Sequence, residues 1–363
     1  MLNPILLLVA ASNVAQAEEK RLGADTVGLV QTWLTVLDQD TDEVAEPAGY
    51  GDPEDDPGVK VRRARFGLEG KEGSVKYGLL VGVSTPYDSL GGDADETVGL
   101  VDAYGGWQPL ADAGPLAELW LVAGIQKVPV SREMLMSAGE LALGDRSVAT
   151  EWLAPGRDAG LMLDASMGGE DSLAVRLRVG GFNGNGSALG DDDAGKMVAA
   201  RAEIVQGPGD TYETWGSVDG FTIGVAGDFW MDSSLSTDTT GFGGDVLTRV
   251  GGLALLIEAH MVNLVPTNSD IDLPGVMAAT SRLGGVAQLG YTIGNLEPVA
   301  RFSMFDDHTE LEDNGDVGEA MAGLTWHAME DTIRVGGGWI TRLELAGAPA
   351  SNDTARLWLQ LKL

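Results

Sequence analysis

Apolar and polar residues alternate with a period of two along most of the chain, most clearly at the C-terminus, where Trp358 and Gln360 separate Leu357, Leu359 and Leu361. Successive side chains of a β-strand point to opposite faces, so this alternation predicts strands with one apolar and one polar face. Sixteen such segments can be drawn, at 26–37, 59–69, 74–84, 97–107, 116–127, 158–167, 172–183, 195–206, 217–231, 239–249, 253–264, 277–293, 296–306, 316–328, 331–344 and 352–363.

The connections between these segments alternate in length. Short turns lie at 70–73, 168–171, 250–252, 294–296 and 328–330, and longer polar loops lie at 38–58, 85–96, 129–157, 184–194, 265–276, 307–315 and 345–351. Outer-membrane barrels combine short periplasmic turns with long outer loops. We therefore predict an all-β protein, a transmembrane antiparallel β-barrel of sixteen strands, although the links 108–115 and 207–216 are longer than expected. A soluble β-sandwich or solenoid, with its apolar face inside, is the alternative.

The N-terminal residues have the pattern of a secretion signal. An apolar run from Ile5 to Ala11 precedes Ala15-Gln16-Ala17, the small-x-small spacing of a cleavage site. This predicts a signal peptide over residues 1–17 and one barrel domain over 18–363. No Lys or Arg precedes the apolar run, which departs from the usual signal, and an apolar N-terminal strand or anchor is the alternative.

Composition excludes several classes of protein. The 363 residues include 55 acids and 23 bases, for a net charge of −32, and no cysteine. A nucleic-acid partner needs a basic face, so none is predicted. Without cysteine there is no disulfide framework, Cys-ligated zinc or thiol catalysis. Beyond residue 20, no uncharged apolar stretch of about 18 residues suits a membrane helix, which excludes a helical inner-membrane protein.

Several short motifs occur in an order that is similar to that of one known family, the phosphate-selective porins O and P. They span most of the chain after residue 17. They are Arg63-Ala-Arg-Phe-Gly-Leu-Glu-Gly70 with Tyr77-Gly-Leu-Leu80, Gly124-Ile-Gln-Lys-Val-Pro-Val-Ser-Arg132, Asp145-Arg-Ser147, Ala154-Pro-Gly-Arg157 with Gly160, Gly181-Phe-Asn-Gly-Asn-Gly186, Phe242-Gly-Gly-Asp-Val246 with Gly252-Leu-Ala-Leu255, and Glu297-Pro-Val-Ala-Arg301.

This resemblance implies a sixteen-stranded porin in the outer membrane of a Gram-negative bacterium. Such porins are usually homotrimers that pass small solutes passively, and several favour phosphate or polyphosphate. The resemblance also implies that loop 129–157 folds into the lumen and narrows it. The expected partners are outer-membrane lipid, two further copies of the chain and the barrel-assembly machinery. That machinery commonly reads an aromatic C-terminal residue, whereas this chain ends in Leu363.

Charge placement then suggests which residues face the pore. If the apolar faces contact lipid, most of the arginines point into the lumen, because a guanidinium at mid-membrane facing lipid costs about 2–4 kcal/mol. These arginines either attract anions or pair with carboxylates and brace the wall, and the sequence leaves both readings open. The pore-lining candidates are Arg63, Arg65, Arg176, Arg178, Arg201, Arg249, Arg282, Arg301, Arg334 and Arg356.

The candidate constriction loop carries both signs of charge. Opposite charges on facing sides of a narrow passage create a transverse field rather than a purely positive ring, which predicts a weakly selective channel for small hydrophilic solutes or ions, anions such as phosphate included. The candidates in and beside this loop are Lys127, Arg132, Glu133, Glu140, Asp145, Arg146, Glu151 and Arg157.

Acidic residues concentrate in two other loops, at 38–56 and at 191–193. Such runs are usually solvated loops, although they can also repel anions or concentrate divalent cations at the mouth of a pore. The first loop lacks the glycine and distal glutamate of an EF-hand, so calcium binding is weakly supported. We predict no cofactor and no metal site.

Two other functions remain open alternatives. The barrel could serve as a surface scaffold or receptor with little or no transport. An outer-membrane hydrolase is more remote, because only His260, His308 and His327 could act as a general base and no Gly-x-Ser-x-Gly motif occurs. Ser303 lies five residues before His308, but His308 follows two aspartates in a predicted loop. The sequence therefore predicts that the protein is not an enzyme.

Overall fold

The computed structural model describes residues 23–38, 57–84, 98–113, 116–168, 173–186, 194–233, 237–267, 279–313, 315–329, 331–347 and 353–363. These residues form one closed antiparallel barrel of sixteen strands, in which each strand pairs with its neighbours in sequence and β1 pairs with β16. The proposed signal peptide and the acidic runs at 39–56 and 191–193 lie outside the described residues.

The strands agree with the sixteen predicted segments, except that β4 continues to Ala113 and takes up most of the link predicted at 108–115. Their bounds are β1 Ala24–Asp38, β2 Gly58–Glu72, β3 Val75–Ser84, β4 Val98–Ala113, β5 Leu116–Lys127, β6 Arg157–Met167, β7 Ala174–Phe182, β8 Met197–Gln206, β9 Val218–Asp232, β10 Thr237–Gly251, β11 Leu253–Pro266, β12 Thr280–Tyr291, β13 Leu296–Asp306, β14 Val317–Ala328, β15 Ile333–Glu344 and β16 Thr354–Lys362.

The apolar face of the strands points outward. Leu357, Leu359 and Phe302 are 48%, 43% and 43% exposed, while their neighbours Trp358 and Arg301 are buried inside. The barrel therefore presents its apolar side chains to lipid and its polar ones to the lumen, as the period-two pattern predicts. Within the described residues, no helix is both long enough and apolar enough to span a bilayer.

Residues 128–156, between β5 and β6, form the constriction loop and fold into the lumen. The loop contains two short helices, α1 (Arg132–Leu135) and α2 (Val148–Leu153). Ser131 caps α1 by accepting from the N–H of Met134, and Ser147 caps α2 by accepting from that of Thr150. Side-chain oxygens at these positions satisfy N–H groups that lack a partner in the first turn of a helix.

The apolar core of the molecule lies between this loop and the inside of the barrel. One cluster joins Val128 and Leu153 of the loop to Phe305 on β13, and a second joins Leu143 to Trp33 on β1 and Trp358 on β16. The wall leaves room for the loop at Gly284, where a Cβ would lie 2.8 Å from a methyl group of Leu153 and 2.7 Å from a backbone carbonyl. The loop is thus packed like a protein core against part of the wall.

Candidate functional site

All ten predicted pore-lining arginines lie on the inward face of the barrel. They differ in exposure: Arg65, Arg176, Arg178 and Arg282 are partly exposed, whereas the others are at most 5% exposed. The buried ones are Arg63, Arg201, Arg249, Arg301, Arg334 and Arg356. The contacts of the constriction loop explain most of this difference.

Asp145 anchors one side of the loop. Its carboxylate accepts from Arg62 Nε at 3.0 Å and from Arg63 Nη2 at 2.5 Å, and its backbone carbonyl accepts from Arg301 at 2.7 Å. Burial alone would raise the pKa of Asp145, but the guanidinium groups of Arg62 and Arg63 hold it well below its usual range. Asp145 therefore stays ionised and holds the loop against β2 and β13.

Arg62 was not among the sequence candidates because strict alternation would place it toward lipid. In the pairing of β1 with β2 the register shifts between Gln31 and Thr32, which face Arg63 and Val61, so Arg62 is the extra residue of a β-bulge. A bulge re-aims side chains locally, and here Arg62 and Arg63 both reach Asp145. Local sequence patterns do not reveal such a shift of register.

Residues 131–133 form a second anchor. Glu258 on β11 accepts from the backbone N–H groups of Arg132 and Glu133, at 2.8 and 3.1 Å, and from the Ser131 hydroxyl. Asp228 accepts from the N–H of Ser131 at 3.0 Å. Ser131 has a φ of 62°, which is unusual for a residue with a side chain, and these bonds hold it there.

The Arg132 side chain extends from this anchor into a fully buried ion-pair network. Its guanidinium lies 2.6 Å from Asp245 on β10 and 2.7 Å from Glu203 on β8. Arg201 lies 2.7 Å from both Asp228 and Asp245. The wall makes room at Gly224, where a Cβ would lie 3.1 Å from the Arg132 guanidinium. Arg132, predicted to help set the pore field, is instead part of the structural core.

The remaining charged candidates of the loop are also held in place. Glu133 accepts from the N–H and hydroxyl of Ser147, and burial raises its pKa. Arg146 donates to backbone carbonyls of the loop and lies 3.7 Å from Glu151. Glu140 pairs with Arg334 on β15, at 2.7 Å, and with Lys362 on β16.

These contacts cover one side of the lumen. We use the name packed wall for this side, which is the inward face of strands β8 to β16, of β1 and of the outer half of β2. Arg356 is part of this wall, because its guanidinium carbon lies 3.9 Å from the ring centroid of Trp33 on β1. For the arginines of this wall that carry ion pairs, wall-bracing describes the contacts better than a free positive surface does.

The inward face of β3 to β7 and the periplasmic half of β2 form the open wall. Two adjoining cavities of about 290 and 1090 Å³ follow it, and both are lined by Lys76, Asp164 and Arg178. Lys127 at the end of β5 donates to the carbonyls of Leu135 and Met136. This wall thus borders the space that the constriction loop leaves free.

The charged groups that line the two cavities are balanced in sign. The basic side chains are Lys71, Lys76, Lys127, Arg176 and Arg178, and the acidic ones are Glu69, Asp102, Glu118, Asp164 and Asp210. Arg157 pairs with Asp102 at 2.9 Å, and Arg178 lies 3.5 Å from Asp164. Lys71, Lys76 and the acids of these strands were not among the residues predicted from the sequence, because only the three-dimensional position of the loop separates open from covered positions.

The contacts of His260 and His327 differ from those of a hydrolase. His260 lies 2.8 Å from Glu258, and Ser131 donates its hydroxyl to the same carboxylate rather than to the imidazole. A serine nucleophile needs the opposite arrangement, with its hydroxyl on the histidine. His327 contacts Glu297 and Asp331 at 3.0 and 2.6 Å.

Three carboxylates meet in the outer loop between β13 and β14, where no metal site was predicted. Oxygens of Asp307, Asp313 and Asp316 lie within 4.8 Å of one another. Burial and the neighbouring Asp306 raise the pKa of Asp316 to about 6. A cluster of acidic groups alone does not identify a metal site.

Known porins resemble this chain in sequence or in fold. Residues 39–216, close to half of the chain, match the family model described as phosphate-selective porin O and P. No curated protein has a significantly similar sequence.

Solved structures match along nearly the whole barrel. An anion-selective porin from Comamonas acidovorans is 12% identical, with a TM-score of 0.58 and coverage of 94% of this chain and 99% of that one. The trimer form of OmpT from Vibrio cholerae is 11% identical, with a TM-score of 0.56 and the same coverage. The channel DcaP of Acinetobacter baumannii is 14% identical, with a TM-score of 0.52 and coverage of 94% and 97%.

At these identities the structural likeness establishes the fold alone, and the family match covers slightly less than half of the chain. The match confirms the resemblance indicated by the sequence motifs. The chain is therefore an outer-membrane porin of a Gram-negative bacterium, similar over residues 39–216 to the phosphate-selective porins O and P.

Proposed function

We propose that this porin is a weakly selective, non-enzymatic channel for small hydrophilic solutes and ions, anions such as phosphate included. The observation that carries the proposal is the balance of five basic and five acidic side chains around the cavities of the open wall. A pore selects by the field along its wall, and facing charges of both signs give a transverse field with little net preference. The path runs along the open wall, past Lys76, Asp164 and Arg178.

Reversal potentials under a salt gradient in planar bilayers test this proposal. We expect a chloride-to-potassium permeability ratio within about threefold of one for the wild type. A unit charge about 8 Å away in water, screened by physiological salt, changes an ion's energy by about 0.2 kcal/mol, and because it acts oppositely on the two ions it changes their ratio by about twofold. Replacing Arg176 and Arg178 together by Gln should shift the ratio toward potassium by about fourfold.

Arg356→Gln is the matched control, since it removes a positive charge from the packed wall. It should leave the permeability ratio within about 1.5-fold of the wild type, because its guanidinium is covered by Trp33. A strong block of chloride current by phosphate would contradict weak selectivity, and equal shifts in both variants would contradict the assignment of the path.

A surface scaffold or receptor with little transport is the second candidate function. It is favoured by the extent to which the constriction loop fills the lumen against the packed wall. Stepwise conductance after reconstitution and liposome swelling with small sugars would support the channel. Their absence in correctly folded protein would support the scaffold.

We also propose that the protein forms a homotrimer in outer-membrane lipid after insertion by the barrel-assembly machinery. OmpT, which shares the fold, has a trimer form. Migration of unboiled, cross-linked protein at three times the chain mass would support the trimer, and migration only as single chains would oppose it.

A further inference from the structure

The connection between β8 and β9, residues 207–217, is an inward-folded periplasmic turn. At this end of the barrel the other described connections are short, yet this segment runs through Gly-Pro-Gly-Asp-Thr-Tyr-Glu-Thr-Trp-Gly-Ser. It leaves β8 at Gly207, with a φ of 99°, where a Cβ would lie 2.0 Å from the carbonyl oxygen of Phe221. Only glycine permits this reversal of the chain.

The wall holds the turn inside the barrel. Arg249 on β10 donates to the carbonyls of Asp210, Trp215 and Gly216, at 3.2, 2.5 and 3.1 Å. The Trp215 ring stacks on His327, with centroids 3.4 Å apart and planes 4° from parallel. Arg249, selected from the sequence as a pore-lining candidate, therefore holds backbone carbonyls instead of facing free solvent.

The tip of the turn meets the constriction loop inside the lumen. The carbonyl of Thr211 accepts from the Arg132 guanidinium at 2.6 Å, so one side chain of the outer loop binds the periplasmic turn. Tyr212 packs against the cluster that contains Met136 and Leu141 of the loop. Its hydroxyl donates to Glu203 at 3.0 Å.

Tyr212 also borders the open passage. Two guanidinium groups lie near its ring: the carbon of Arg132 is 5.2 Å from the ring centroid, and that of Arg178, on the open wall, is 5.7 Å away. Arg178 Nη1 lies 3.4 Å from the hydroxyl. Tyr212 and Asp210 line the cavity of about 1090 Å³ that opens toward the periplasmic end. These two cation–π contacts favour one position of the ring.

We propose that turn 207–217 is a second constriction element, entering from the periplasmic side, and that Tyr212, in contact with Arg178, is the residue that narrows the passage there. This inference rests on the proposed channel function. The turn and the constriction loop reach from opposite ends of the barrel and share Arg132. The periplasmic half of the path therefore has its own limit on solute size, separate from that of the outer loop.

A substitution series at Tyr212 tests the proposal by single-channel conductance and by liposome swelling with sugars of increasing size. Pore width controls both measurements, so Tyr212→Ala should raise conductance about 1.5-fold and admit larger sugars, and Tyr212→Trp should lower both. Tyr212→Phe is the matched control, because it keeps the ring and loses only the hydroxyl, with its contacts to Glu203 and Arg178, and it should conduct like the wild type.

Sided chemical modification gives a second measurement. The chain contains no cysteine, so Tyr212→Cys introduces a single reactive thiol. A bulky thiol reagent added on the periplasmic side should reduce the conductance of this variant stepwise, and should react faster there than from the outer side. The unmodified wild type should not respond.

The outcomes separate this inference from the proposed function. If the folded wild type does not conduct, the channel proposal fails. If the wild type conducts but the Trp and Ala variants, confirmed as folded by heat-modifiable migration, keep its conductance and sugar limit, the role of Tyr212 is wrong while the channel stands. Should the Ala variant not fold, a Trp variant with unchanged conductance and sugar limit is sufficient to overturn the inference.

Discussion

The packed wall and the open wall have the same strand chemistry but different roles. Both alternate apolar outward residues with inward arginines and carboxylates, yet the packed wall places its charges in buried ion pairs such as Arg201 with Asp228, 2.7 Å apart. On the open wall the corresponding pairs are partly exposed, as between Arg178 and Asp164 at 3.5 Å. The number of inward arginines therefore says little about selectivity until the position of the loop is known.

The largest expected effect comes from breaking the packed wall at Arg132. Arg132→Ala leaves the buried carboxylates of Glu203 and Asp245 without this partner, which should cost about 3–5 kcal/mol. Thermal unfolding followed on unboiled gels measures the loss. Arg157→Ala, on the open wall, removes a partly exposed pair with Asp102 and should cost less than about 1 kcal/mol. Equal losses would remove the distinction between the walls.

A smaller loss of stability is expected where the constriction loop packs against the backbone of the packed wall. Gly284→Ala places a Cβ 2.8 Å from Leu153 and 2.7 Å from the carbonyl of Met304, so it should destabilise the loop by about 1–3 kcal/mol. Gly181→Ala is the matched control, since nothing lies within 4 Å of its added Cβ. Limited proteolysis and thermal unfolding should distinguish them, and identical behaviour would show that the loop is not docked as described.

The charge balance of the open wall can be shifted without breaking the fold. Asp164→Asn removes the carboxylate beside Arg178 and Lys76, at 3.5 and 4.0 Å, and should raise the chloride-to-potassium ratio about twofold. Reversal potentials provide the measurement. Asp245→Asn makes the same change on the packed wall, where reduced stability is expected instead of altered selectivity.

The smallest effect concerns the outer loop before β14. Because the folded pKa of Asp316, about 6, lies above the ordinary value for aspartate, the proton stabilises the folded loop. That stabilisation increases as the pH falls from 7 through 6 and is lost as the pH rises again. Hydrogen exchange at the amides of Asp313 and Asp316, corrected for intrinsic rates, should slow toward pH 5. Asp316→Asn should abolish this dependence, and an unchanged profile would contradict it.

Much of the fold follows from local sequence. Alternation and turn residues predict the strands because each strand is specified by neighbours in the chain, and the same alternation places Arg63 and Arg301 on the inward face. The residues that border the proposed solute path were less predictable from the sequence. The inward position of Arg62 depends on a β-bulge. The position of Tyr212 in the lumen depends on a turn that meets Arg132, 80 positions earlier in the chain. Such contacts depend on how distant segments pack, which no periodicity records.

The indole rings of Trp33 and Trp358, which lie in one cluster with Leu143, bear on how the barrel closes during biogenesis. Trp33 and Trp358 stand directly opposite each other on the first and last strands, whose pairing closes the cylinder. Leu143, from the constriction loop, lies in the same buried apolar cluster as both and covers that seam from within the barrel. Closing the cylinder and docking the constriction loop therefore bury the same two indoles, and shielding of indole fluorescence should report when the first and last strands have paired.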